Sequence, residues 1–157
     1  MRILLIILSI FLIGCHKTDI KVENKPIQKI EQEKKQAYQK FQILLLEEHN
    51  KQRESKGMAR LSIDKKLCEY AQSHADKMVE KNSMYHSSMS DLRKVLDSNW
   101  VGENVAWGQK TEVDVVNSWM WSPGHRWNIL GSNYKRVGFG MKKDVNNRNY
   151  WCVVFSD

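Results

Sequence analysis

The sequence predicts an α+β domain, with helices packed on an antiparallel sheet. Three observations carry this. Apolar residues recur at helical spacing through the first two thirds of the chain. The last twenty or so residues alternate like two strands around the Asn146-Asn147 turn. Helices come first and strands last, the order of a layered domain rather than of repeated βαβ units. The 157 residues suit one domain plus a tail, and 41% hydrophobic with 27% charged residues is an ordinary globular balance. Six tryptophans call for a real core or an aromatic-lined groove.

The N-terminus stands apart from the domain. Arg2 precedes an almost unbroken aliphatic run over 3–13. That run is shorter than the roughly 20 residues of a membrane-spanning helix and matches a signal-peptide core. It ends Leu12-Ile13-Gly14-Cys15, which resembles a bacterial lipobox. Residues 1–14 are therefore expected to be a removed signal peptide and Cys15 a lipidated first residue. Two or more acyl chains would hold the protein to a membrane, placing it at the cell envelope, in the outer membrane or at the cell surface. Residues 15–36 are polar and lysine-rich, contain Pro26, and read as a spacer; the domain is expected over 37–157.

In the domain, 38–56 reads as a helix through Phe41, Leu44, Leu45, Glu48, His49 and Gln52, stopped by Gly57. His49 reads as a helix-end histidine holding a loop. A second helix over 63–82 takes Ser62 as its cap and buries Leu67, Ala71, His74 or Ala75, and Met78. His74 on it reads as packed or surface, not as a ligand. Residues 83–99 are irregular, with His86 in a serine-rich loop and a short helix near Asp91. In 101–108, Glu103 is a carboxylate inside an apolar run. Its burial requires a histidine, a backbone amide or a metal, or a role as a hydrogen-bond hub for Asn104 and the loop. Thr111 caps a third helix that buries Val113, Val116, Trp119 and Met120. Pro123-Gly124 ends it, leaving His125 on a rigid turn. Cys68 and Cys152 either pack as small apolar residues or form a disulfide, which export would permit.

The net charge of +7, with export expected and no basic stripe interleaved with aromatics, speaks against nucleic acid; it serves either an anionic lipid or acidic partner surface, or solubility alone with no partner.

Five motifs fall in an order that resembles the CAP superfamily (cysteine-rich secretory, antigen and pathogenesis-related; SCP) in its bacterial form. They are His49-Asn50-x-x-Arg53, His86-Ser87, Gly102-Glu103-Asn104-Val105, Ser122-Pro123-Gly124-His125-Arg126-x-Asn128-Ile129-Leu130 and Gly138-Phe139-Gly140. The resemblance runs from about residue 38 to the end. It implies an α-β-α sandwich and a cleft built by two histidines and two acids. His86, Glu103 and His125 match three of these, and Ser122 stands near the place of the second acid. The resemblance thus implies a non-enzymatic binding module for a sterol, another lipid or a partner protein. No cofactor is required. A zinc or other divalent cation on His86 and His125 would make the alternative a metal-assisted hydrolase or protease. Neither a His-Glu-x-x-His helix nor a Gly-x-Ser-x-Gly elbow supports catalysis.

Overall fold

Strand alternation in the last residues builds the centre of the molecule. In β4 (Asn149–Ser156), Trp151, Val153 and Phe155 point to one face, and Tyr150, Cys152 and Val154 to the other. Every residue of this strand is buried, as expected when both faces of a sheet are covered. β3 (Arg136–Lys143) pairs antiparallel with it, Gly140 opposite Cys152, through a turn in which Asp144 Oδ1 accepts from the amides of Asn146 and Arg148. Asn147 takes φ 60° there, a left-handed conformation that asparagine tolerates. On the other side β4 pairs antiparallel with β2 (Val101–Trp107). A two-residue β1 (Ser62–Ile63) adds to β3 in parallel, so the order is β1-β3-β4-β2. The sheet is therefore mixed: antiparallel in its three long strands, parallel only at this short edge.

The computed structural model describes residues 25–157. The expected signal peptide (1–14), the lipidated Cys15 and the spacer up to residue 24 lie outside the described residues. The rest of the spacer is helical: α1 (Lys25–Glu54) begins well before Tyr38. Its first turns are exposed along every face, and only from Phe41 does it enter the core. The buried stripe is Phe41, Leu45, His49 and Arg53, while Leu44 stays outside. Gly57 takes φ +70° just past the helix end, a conformation glycine adopts without penalty.

α2 (Lys65–Glu80) is capped by Asp64, whose Oδ1 accepts from the Leu67 amide at 3.0 Å, and not by Ser62, which is spent in β1. It lies directly on β3. A Cβ on Gly138 would fall 2.1 Å from the Leu67 carbonyl carbon, and one on Gly140 2.3 Å from that of Ala71. Those two glycines and the alanine face of α2 set this close approach. α3 (Met89–Leu96) follows, buried through Leu92 and Leu96. α2 and α3 cover the Cys152 face of the sheet; α1, α4 (Glu112–Trp121) and α5 (Pro123–Leu130) cover the Trp151 face. The α-β-α sandwich is complete, and α+β is the observed class.

Three local expectations need correcting. In α4, Thr111 caps the Asp114 amide as expected, but Val115 is buried and Val113 is 47% exposed. Pro123 does not end a helix in a turn. It opens α5 at the first helical position, where its missing N–H costs nothing and its fixed φ suits a helix. His125 therefore sits in the first turn of a helix. Cys68 and Cys152 are both buried and free, so the disulfide gives way to the apolar-packing alternative.

Candidate functional site

β2 is the outer strand of the sheet, and its free edge is closed by side chains rather than by another strand. The carbonyl of Val101 accepts from the Tyr134 hydroxyl at 3.3 Å. That of Glu103 accepts from Asn128 Nδ2 at 3.1 Å, and that of Val105 from Trp119 Nε1 at 3.2 Å. Three consecutive outward carbonyls are thus satisfied by α4, α5 and the segment after it. This blocks edge pairing and fixes the strand that carries Glu103. Gly102 permits it: a Cβ there would meet the Tyr134 hydroxyl at 2.6 Å and Asn128 Oδ1 at 2.7 Å.

Glu103 faces the α2–α3 layer, and its side chain is completely buried. Oε1 accepts from the Ser87 amide at 2.8 Å and from His86 Nδ1 at 3.0 Å. Oε2 faces the Cys152 thiol at 3.8 Å and His74 Nε2 at 3.9 Å. Burial and the neighbouring Glu103 carboxylate hold the Cys152 thiol far above its usual range, so it is a protonated donor. The sequence allowed a histidine, an amide or a metal as the partner of Glu103. Two of these, the His86 ring and the Ser87 amide, fill it.

His86 and His125 arrive from opposite layers. His86 comes from the loop between α2 and α3, and His125 from α5. Their rings meet with centroids 6.1 Å apart and planes tilted by 35°. Asn104, the residue after Glu103, points to the other face of β2 and donates through Nδ2 to the His125 carbonyl at 3.0 Å. Asn128 in turn donates to Asn104 Oδ1 at 2.9 Å. One strand therefore positions both histidines, through Glu103 on one face and Asn104 on the other. Burial, reinforced by His86, lowers the His125 pKa, so its ring is neutral at pH 7.

The fit to a metal follows from this. Donation of Nδ1–H to Glu103 leaves His86 Nε2 as the free lone pair, the arrangement in which an outer carboxylate orients a ligating histidine. Glu103 itself is spent as an acceptor and stands behind His86. Among the described residues no group of three His, Cys, Asp or Glu side chains is arranged to hold an ion. The site offers two imidazoles; the three sequence-predicted residues converge without forming a three-ligand set.

Beside His125 lies a groove of about 280 Å³, walled by Met84, Val105, Ala106, Trp107 and Ser118. Trp107 is half exposed, and the Arg148 guanidinium lies 4.5 Å from its ring centroid.

His74 packs, one of the two places the sequence allowed it; what sequence reasoning missed is that it holds the His86 loop. It is 6% exposed, its Nε2 donates to the Tyr85 carbonyl at 2.8 Å, and its Nδ1 accepts from the Ser87 hydroxyl at 3.2 Å. It secures the loop that presents His86. Ser87, His74 and Glu103 superficially resemble a catalytic triad. However, the His74 N–H goes to a backbone carbonyl, and the ring is closed in, away from the groove. Its place on the α2 face signals the packing, and a buried histidine needs partners; which loop supplies them only the structure shows.

His49 is set apart from the cleft. It is fully buried among Trp119, Phe139 and Phe155, and donates Nδ1–H to the Leu45 carbonyl at 2.7 Å. Burial pushes its pKa down to about 4. It holds no loop; its neighbours do. Asn50 exchanges two hydrogen bonds with the backbone of Leu61, and Arg53 donates to the carbonyls of Ala59, Ile129, Gly131 and Tyr134.

This sandwich, with two histidines meeting at a sealed sheet edge, defines the class of the protein. The profile of the cysteine-rich secretory protein family, CAP, matches residues 46–155, and the chain belongs to that family. YkwD of Bacillus subtilis, an uncharacterised protein, is 37% identical over 126 residues, 76% of this chain and 47% of YkwD. The uncharacterised membrane protein YlbC of the same organism is 31% identical over 101 residues, 60% of this chain and 29% of YlbC. The chain thus spans less than half the length of these curated relatives. An outer surface protein of Borrelia burgdorferi shares the fold with a TM-score of 0.65 at 22% identity, over 87% of this chain and 96% of that one. An extracellular SCP-domain protein of Bacillus anthracis does so with a TM-score of 0.66 at 21% identity, over 75% and 40%.

Proposed function

We propose that this CAP domain is a non-enzymatic binding module, tethered at the cell surface through lipidated Cys15, that takes a lipid, sterol or partner protein in the cleft of His86, Glu103 and His125. The observation that carries it is the state of Glu103: its side chain is closed in, Oε1 is taken by the Ser87 amide and the His86 ring, and Oε2 faces only the Cys152 thiol and His74. A carboxylate used in this way shapes the cleft by fixing the His86 ring and its loop. Beside it, Met84, Val105, Ala106 and Trp107 offer an apolar wall with the neutral His125 ring at its rim, a surface suited to an apolar ligand with one polar end.

Titrating the Cys15→Ser protein with a labelled sterol and a labelled fatty acid tests this reading. Saturable binding that Trp107→Ala and His125→Ala each weaken about tenfold is expected. Binding indifferent to both variants refutes the cleft. No saturable binding of either probe leaves a partner protein as the ligand. Metabolic labelling with palmitate tests the tether: label on the wild type and none on Cys15→Ser is the expected result.

The orientation of His86 by Glu103 favours a second reading, a divalent cation held by His86 and His125. Calorimetry with zinc on the wild type, His86→Ala and His125→Ala separates the two. Equal heats in all three remove the metal and any hydrolase that depends on it.

A further inference from the structure

The other flank of α5 carries a second groove, of about 380 Å³, that the cleft does not use. It lies between α5, the Met58 loop and residues 131–134. Its walls are unusually fixed. Arg53, 1% exposed, donates to the carbonyls of Ala59, Ile129, Gly131 and Tyr134, tying both loops to α1. Gly131 packs on the Tyr134 ring, which a Cβ would meet at 2.7 Å. On this base stands Trp127, 59% exposed and held edge-on against Tyr134 with planes at 89° and centroids 6.1 Å apart.

The polar groups around that indole are unspent. Ser132 and Asn133 are exposed, and among the described residues their side chains make no hydrogen bond within the protein. Arg126 commits only Nη1, to the Met120 carbonyl at 3.3 Å. Among the described residues no carboxylate lines the groove. A fixed flat indole, an amide, a hydroxyl and a guanidinium, with no acid among them, suit a ligand that is apolar on one face and rich in hydroxyls at its rim. A sugar ring has that chemistry: its axial C–H groups pack on the indole while its hydroxyls bond the amide and guanidinium. A purely apolar ligand would leave three polar side chains unpaired, at a cost in affinity.

We propose that this groove binds a pyranose unit of a polysaccharide, stacked on Trp127 and hydrogen-bonded by Asn133 and Arg126. The site is separate from the cleft, so it stands or falls independently of the proposed function. Full-length protein in detergent is titrated by calorimetry with the N-acetylglucosamine hexamer and, separately, with cellohexaose. Saturable binding of at least one, with Kd of about millimolar or tighter, is expected for a single stacked ring. Trp127→Ala should weaken it about tenfold, Asn133→Ala several-fold, and His125→Ala not at all. Thermal melts confirm that each variant is folded; should Trp127→Ala fail to fold, the exposed Asn133→Ala decides. Absence of saturable binding by both sugars overturns the proposal. So does binding that the deciding variants leave unchanged, or that His125→Ala abolishes.

Discussion

His49 and His86 each carry a motif of this family, yet they live in opposite environments. His49 is closed in by three aromatic rings, and among the described residues it is bonded only to its own helix and its Nε2 finds no partner. His86 is more than half exposed in its side chain and leans on a buried carboxylate. Burial without a charged partner makes a histidine a neutral piece of core. A carboxylate behind an exposed ring fixes its tautomer and leaves one nitrogen to face a ligand. The residue type is the same in both; exposure and partner decide between scaffold and site.

Substitutions that break this contrast should differ in size. Arg53→Ala is expected to cost most, about 4 kcal/mol in urea denaturation, because four carbonyls lose a buried charged donor at once. The same experiment should show the Asn50–Arg53 region, not His49, to be what holds the loops.

His49 should show itself through pH. Its folded pKa of about 4 lies below the ordinary 6.5. The unfolded chain therefore binds the extra proton first as pH falls. The stability is complete above about 6.5 and is lost on the way down to about 4, by about 3 kcal/mol. Melts of wild type and His49→Phe between pH 7.5 and 4.5 check this; the variant should lose that part of the slope.

Glu103→Ala should cost about 2 kcal/mol, since the Ser87 amide and His86 Nδ1 lose their acceptor. Its larger effect should be on the cleft: NMR of the imidazole protons should show His86 losing its single tautomer. The smallest effect is expected from His86→Ala, about 0.5 kcal/mol or less in the same denaturation. A cost as large as that of Arg53→Ala would make His86 a scaffold residue and end the contrast.

The hairpin was legible in the sequence, because two-residue alternation around Asn146-Asn147 leaves little choice. So was the α+β class. The meeting of His86, Glu103 and His125 was implied by the resemblance of their motifs to the family and by no period or spacing of their own. Less legible was the start of α1, since the exposed turns from Lys25 bury no stripe that periodicity could detect. The opening of α5 at Pro123 was misread because proline before glycine signals a stop and a first helical turn equally well. The packing of His74 was legible from α2, but its partners were not, because the Tyr85 carbonyl and Ser87 belong to a loop with no pattern of its own.

The sequence by itself determined the strand and helix periods, the glycines on which close packing depends, and the isolated carboxylate within an apolar run. Only the tertiary structure decided what each polar group faces. The strand period sends Glu103 and Asn104 to opposite sides of β2, and whether a side chain there meets a ring, an amide or water depends on the layer folded over it.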